Sequence, residues 1–203
     1  MEVKVYDDLK IFRRHTYSFT ENAVTVLVGR NGWGKSTLLK ELKDVLSGDK
    51  YSKENYIIDY NNVTSGGASA RQRALERGNT DFVMNSMTSS EGENICLCLG
   101  EILARIGNWG REVVSGEREK KNLWIFLDGI DSGLSIDTMH LIRKDFLDLV
   151  IEDYKSKGLA VYIVISANQY EMFKDYDCIN VRTNTHKTFK DYDSYREFIL
   201  KQG

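Results

Sequence analysis

The sequence predicts an α/β fold in which a mainly parallel core sheet is flanked by helices, with antiparallel strands at the N-terminus and a small helical lobe. Three observations carry this expectation. The stretch Gly29 to Thr37, GRNGWGKST, joins an apolar run, Ala23 to Val28, to a helical run, Lys35 to Leu46. A second apolar run, Leu123 to Leu127, ends in the carboxylate of Asp128, and a third, Leu159 to Ser166, follows a long helical pattern. Apolar strands that do not alternate, separated by helices, are what parallel strands covered on both faces require.

The N-terminal segment alternates around Val3, Val5, Leu9, Ile11, Phe12, Tyr17 and Phe19, which predicts two short antiparallel strands ahead of the buried strand Ala23 to Val28. Between them, Arg13 and Arg14 stand in a bend shortly before the glycine-rich loop. Such a pair can reach a nucleotide through a phosphate or by stacking on a base, or can form an ordinary solvated basic turn. His15 reads as a turn residue.

The glycine-rich loop has the P-loop pattern in the P-loop setting, strand before and helix after. Its glycines free the backbone, so that N–H groups from Asn31, Gly32, Trp33 and Gly34 turn inward around phosphate oxygens, and the helix N-terminus adds its positive end. Lys35 reaches the β- and γ-phosphates as a point charge, Ser36 offers a hydroxyl to the bridging magnesium, and Thr37 adds a donor near the α-phosphate. The loop alone leaves open which nucleotide is bound and whether it is cleaved.

Gly48 ends the following helix. Tyr56 to Tyr60 then reads as a strand, and Asn61 to Ala70, NNVTSGGASA, as a flexible insertion with a short helix leading into Arg71, Arg73 and Arg77. Thr88 to Glu93, TSSEGE, precedes a strongly helical stretch, Asn94 to Ile106, and Ser90 with Glu93 has the spacing of a capping box. Trp109 to Lys121 reads as a charged loop. The strand that follows ends in Asp128, the Walker B arrangement, in which a carboxylate at the end of a buried strand orients the magnesium shell.

Asp131 to Ser135 forms a loop, in which Asp131 reads as a turn cap. Ile136 to Ser156 has a helical pattern with Met139, Ile142, Phe146, Leu149 and Val150 inward. Asn168 sits just past the strand Leu159 to Ser166, on the side where such sheets place ligand contacts. A strand, Cys178 to Val181, and an amphipathic helix, Tyr192 to Leu200, complete the chain.

At 203 residues the chain suits one domain. Residues 1–50 and 122–203 form its core lobe and 51–121 its insertion and helical lobe. A formal net charge of −2 argues against holding nucleic acid by bulk charge alone. Three cysteines, two of them (Cys96 and Cys98) on different faces of one helix, make neither a disulfide framework nor a zinc site. Without a signal pattern or an apolar run of membrane length, the chain is expected to be cytoplasmic, with no direct membrane contact.

With GRNGWGKST, SSEGE and FLDGIDSGLS in this order, most of the chain resembles the ABC-type ATPase family. The resemblance implies ATP and Mg²⁺ as ligands. Ser90 and Gly92 fall where that family's signature motif carries its serine and second glycine, and Glu93 where a glutamine or glutamate is common. Their implied role is in trans, against the nucleotide of a partner. Glu91 replaces the usual first glycine. Ser132-Gly133-Leu134 looks like the family's D-loop, with Ser135 in place of an aspartate, and Tyr60-Asn61-Asn62 is the nearest candidate for its glutamine loop.

About fifty residues separate the P-loop from the signature, which leaves little room for a transporter's helical subdomain. The compact spacing is more like the heads of the structural-maintenance-of-chromosomes and RecF-like DNA-repair ATPases, without their coiled coil. Two departures bear on hydrolysis. Gly129 stands where the family carries its catalytic glutamate, and Asn168 where it carries its switch histidine. A positioned base is worth roughly 10² to 10⁴ in rate, so a typical turnover of about 10 per second would fall to between about 0.1 and 0.001 per second.

The resemblance therefore implies a slow ATPase, with Lys35, Asp128, Asp131 and Asn168 as its catalytic candidates. It would close head to tail on ATP with a second copy or a paralogue and serve a DNA-related or defence-related complex through a further protein partner, with DNA contact possible. A non-hydrolysing regulatory subunit is the alternative, and the ATPase subunit of a transporter is a third reading.

Overall fold

The computed structural model describes residues 1–6, 11–12, 15–65, 67–119 and 121–201. β1 (Glu2–Lys4) and β2 (Thr16–Ser18) pair antiparallel in a sheet of their own, as the N-terminal alternation predicts. The core sheet is built from β3 (Ala23–Val28), β4 (Asn55–Asn61), β5 (Asn122–Asp128), β6 (Val161–Ser166), β7 (Asp177–Asn180) and β8 (Thr185–Lys187). Their spatial order is β4-β5-β6-β3-β7-β8, parallel throughout except for the β7–β8 hairpin.

Alternation along the strands divides the core in two. Leu123, Ile125 and Leu127 of β5 face one side, and Trp124 and Phe126 face the other. The second face is covered by α1 (Lys35–Ser47), whose Leu38, Leu39, Leu42 and Leu46 recur at helical spacing and are all buried, together with Val3 and Tyr17 of the small sheet. The first face carries α3 (Gly67–Glu76), α4 (Thr80–Thr88) and α5 (Glu91–Val114), which the short, exposed α2 (Asn62–Ser65) joins to β4. Beyond β5 it also carries α6 (Ile136–Leu141), a π segment at Ile142–Asp148, and α7 (Leu149–Ser156). α8 (Tyr170–Phe173) and α9 (Tyr192–Lys201) close the C-terminal end.

Four expectations are corrected. β4 belongs to the core sheet, so the helical lobe begins at Asn62 and not at residue 51. The polar stretch expected to be a flexible insertion is largely helical, because Asn61 Oδ1 accepts the amides of Val63 and Thr64 and starts α2 in the manner of a cap. The stretch read as a loop from Trp109 is helical as far as Val114; its charges lie on the exposed face of α5 while Trp109 is buried. Leu149 is 54% exposed, and Leu147 is buried in its place, because the wider π turn at Ile142–Asp148 rotates the inward face.

Trp109 fixes the far end of α5. Its indole is stacked between Tyr56 of β4, at 5.4 Å between ring centres, and Tyr154 of α7, at 5.8 Å. Tyr154 also donates its hydroxyl to the carbonyl of Ile106 in the same helix. Such pairs add about 0.5–1.5 kcal/mol each beyond the area they bury. Trp109→Ala should lower the unfolding free energy by about 3–5 kcal/mol in urea titrations, whereas Val114→Ala, at an exposed position of the same helix, should change it by less than about 0.5 kcal/mol.

Candidate nucleotide-binding site

The parallel register brings the site together. Asn61, Asp128 and Ser166 are aligned partners at the C-terminal ends of β4, β5 and β6, and Ser166 is in turn aligned with Leu27 of β3, two residues before the P-loop. Asp128 Oδ2 accepts from Asn61 Nδ2 at 2.7 Å, and its Oδ1 accepts from Ser166 Oγ. The carboxylate is thus fixed in direction by the strands on either side of it.

Lys35 starts α1 and is 8% exposed; its Nζ donates to the carbonyls of Gly29 at 2.8 Å and Arg30 at 3.3 Å. Burial holds the ammonium below the ordinary lysine range, and the carboxylates of Asp131 and Asp128 offset part of that shift. A cleft of about 440 Å³ opens over these groups. Asn31, Gly32, Gly34, Lys35, Ser36 and Thr37 line one wall; Asn61, Asn62, Asp128, Ser132 and Asn168 line the other. Trp33 lies outside this lining, with its ring against Gly29 and the Arg182 guanidinium 5.4 Å above it. Arg13 and Arg14 lie outside the described residues.

The residues after Asp128 divide sharply in character. Gly129 has φ +69°, and a Cβ there would stand 3.4 Å from Asn62 Cβ. A side chain at this position would therefore carry a left-handed strain of about 1–2 kcal/mol. Asp131 is 3% exposed, and its Oδ2 accepts the amides of Asn168 at 2.6 Å and Gln169 at 2.7 Å. It ties the loop after β5 to the loop after β6. The Asn168 carbonyl accepts from the Tyr195 hydroxyl at 2.9 Å, so the backbone of Asn168 is held on both sides while its side chain is exposed at the cleft. Burial, with Asp131 adding to it, pushes the Tyr195 phenol up to about 12, so it remains a donor.

The capping box expected at the start of α5 is formed. Ser90 Oγ accepts from the Glu93 amide, and Glu93 Oε2 accepts from the Ser90 amide at 2.7 Å. Both residues, with Ser135, line a second groove of about 720 Å³. Gly92 is buried in close approach to the D-loop-like turn: a Cβ there would stand 2.7 Å from the carbonyl oxygen of Gly133. Glu91 points to the other side. Its Oε1 accepts from Ser132 Oγ at 2.7 Å and from Asn62 Nδ2 at 3.0 Å, and these two bonds hold its carboxyl below the usual range.

Neither a protein-family model nor a curated protein matches the chain. Among solved structures, the chain is similar to a protein of Pyrococcus furiosus assigned as the ATP-binding protein of an ABC transporter. The TM-score is 0.51 at 17% identity, covering 88% of this chain and 94% of that one. The fold is that of an ABC ATP-binding cassette. A nucleotide-free ATP-binding cassette from an ABC transporter aligns over 99% of this chain and 96% of its own, with 13% identity and a TM-score of 0.48.

The expected small helical lobe is formed by α2 to α5, between β4 and β5. Sequence reasoning placed Lys35, Ser36, Asp128 and Asn168 on one cleft, and the cassette fold brings them there. It missed Ser166 as the partner of Asp128, although a polar residue closing an all-apolar strand was the available signal. It also missed the contacts of Glu91, which span 29 and 41 residues and leave no local trace.

Two helical glycines test the packing at the start of α5. Gly92→Ala forces its new methyl against a backbone oxygen and should lower stability by about 1–3 kcal/mol. Gly100→Ala meets open space and should raise it by about 0.5–1 kcal/mol, both read from thermal unfolding.

Proposed function

We propose that the chain binds MgATP in the cleft between the P-loop and Asp128, closes head to tail on two nucleotides, and hydrolyses them slowly. The observation that carries this reading is the convergence of Lys35, Ser36, Asp128 and Asn168 on one cleft at the C-terminal ends of the parallel strands. The donor set fits the ligand. Lys35 provides a buried cation whose present partners are the loop's own carbonyls, which phosphate oxygens would replace.

Ser36 Oγ has no hydrogen-bond partner among the described residues, and with Asp128 it would hold Mg²⁺, which takes few protein ligands and completes its shell with water and phosphate. The bound cation would neutralise charge developing on the phosphates. Asn168, without a titratable side chain, offers the γ-phosphate a hydrogen bond and no proton.

Closure places the groove with Ser90 and Glu93 of one copy over the nucleotide of a second copy or a paralogue. Its lining shares no residue with that of the chain's own P-loop cleft, which supports a role in trans. The slow rate follows from Gly129, which offers no carboxylate beside Asp128. If that position leaves no useful turnover, the chain acts as an ATP-dependent regulatory subunit.

The biological load is a further protein complex. The SMC-like reading rests on motif spacing, and the DNA-related or defence-related one on analogy of fold alone. The transporter reading is favoured by the helical lobe and by its exposed apolar residues, Val63, Leu75, Met84 and Met87, which suit a protein partner.

In calorimetric titration with ATP and Mg²⁺, Lys35→Ala should weaken binding by at least about tenfold, equivalent to about 1.4 kcal/mol or more. Size-exclusion chromatography should show a dimer with MgATP and a monomer without it, and a monomer under both conditions would overturn closure. Steady-state turnover should lie near about 0.1 to 0.001 per second and vanish in Lys35→Ala.

A further inference from the structure

Hydrolysis of a phosphoanhydride needs a group that orients the attacking water and takes up its proton, and the carboxylates around the cleft can be sorted by what already occupies them. Asp128 is the carboxylate among the residues that line it, and both its oxygens are engaged, by Asn61 and Ser166. Asp131 is buried, with one oxygen clamped by two backbone amides. Asp59, in the neighbouring depression behind α1, is paired with Lys43 at 3.0 Å. Glu91 differs from all three. It is exposed, and both of its hydrogen bonds fall on Oε1, leaving Oε2 without a hydrogen-bond partner among the described residues.

Its two partners, Asn62 and Ser132, are themselves part of the cleft lining. Asn62 is doubly fixed, its Oδ1 accepting from the Tyr60 hydroxyl at 3.0 Å while its Nδ2 donates to Glu91. Its Cβ is also the atom that a side chain on Gly129 would meet first. The carboxylate of Glu91 therefore arrives, from the helical lobe, against two residues of the cleft lining, one of which also flanks Gly129.

We infer that Glu91 is the carboxylate that serves hydrolysis in this chain, reaching the rim of its own cleft from the first turn of α5. This rests on the proposed ATPase reading and adds the residue that acts in it. In the step it serves, a water oxygen forms a bond to the γ-phosphorus and the bond from that phosphorus to the β–γ bridging oxygen breaks. The electron pair of that bond leaves with ADP, and one water proton passes to Glu91 Oε2, which returns it to the departing phosphate. Holding Glu91 through Oε1 keeps the carboxylate oriented while Oε2 remains open to water.

The test pairs binding with turnover in the full chain. Glu91→Gln keeps the shape and the acceptor oxygen that Asn62 and Ser132 use, so MgATP affinity should stay within about twofold and the melting temperature should be unchanged. kcat should fall about tenfold to a hundredfold with KM nearly constant. The acidic limb of the kcat–pH profile of the wild type should be lost in Glu91→Gln, which removal of a merely structural strut would not cause. If wild type binds MgATP and Glu91→Gln turns over at the wild-type rate, or wild type shows no turnover above Lys35→Ala, the inference is overturned while the binding reading stands. If wild type fails to bind MgATP, the functional reading itself falls, and this inference with it.

Discussion

The parallel register of β4, β5 and β6 is the constraint on which the site depends. Side chains alternate along a strand, so a slip of one residue would send Asp128 to the opposite face of the sheet from its partners. In the observed register Asn61, Asp128 and Ser166 stand side by side, and hydrogen bonds across the three strands lock the carboxylate. The same register sets β3 beside β6 and so brings the P-loop to that edge. Apolar burial on both faces, with Trp124 and Phe126 on one side and Leu123, Ile125 and Leu127 on the other, enforces it. The polar groups of the site are thus positioned by the apolar residues behind them.

The loops that leave this edge have separate duties. Asp131 is spent on backbone amides and acts as a clamp between the β5 and β6 loops, which fixes where Asn168 presents its side chain. Gly129 gives the chain its sharp left-handed exit from β5 and supplies no chemistry of its own. The first turn of α5 faces two ways. Ser90 and Glu93 close a capping box toward the outer groove, and Glu91 reaches back to Ser132 and Asn62. Successive residues on a helix lie about 100° apart, which is why neighbours in this turn address different surfaces.

What the sequence made legible was local. The P-loop and the strand ending in Asp128 are encoded in contiguous residues, and so is the capping box of Ser90 and Glu93; all three were found in place. Features set by distant partners were not legible. The helix through Trp109 looked like a charged loop because its outward residues are charged and its one buried ring needs Tyr56 and Tyr154, which are far away in sequence, to explain it. Leu149 followed the helical period until a π turn changed the period beneath it. β8 is exposed along its length and carries no apolar alternation for a pattern to reveal.

The stacked ring at Trp109 also makes α5 a lever. From that fulcrum to Glu91 the helix runs 18 residues, about 27 Å at 1.5 Å per residue. A tilt of about 5° around the fulcrum would carry the Glu91 end through about 2 Å, enough to break hydrogen bonds of 2.7 and 3.0 Å to Ser132 and Asn62. So small a tilt would be felt at the cleft while the sheet stayed undeformed.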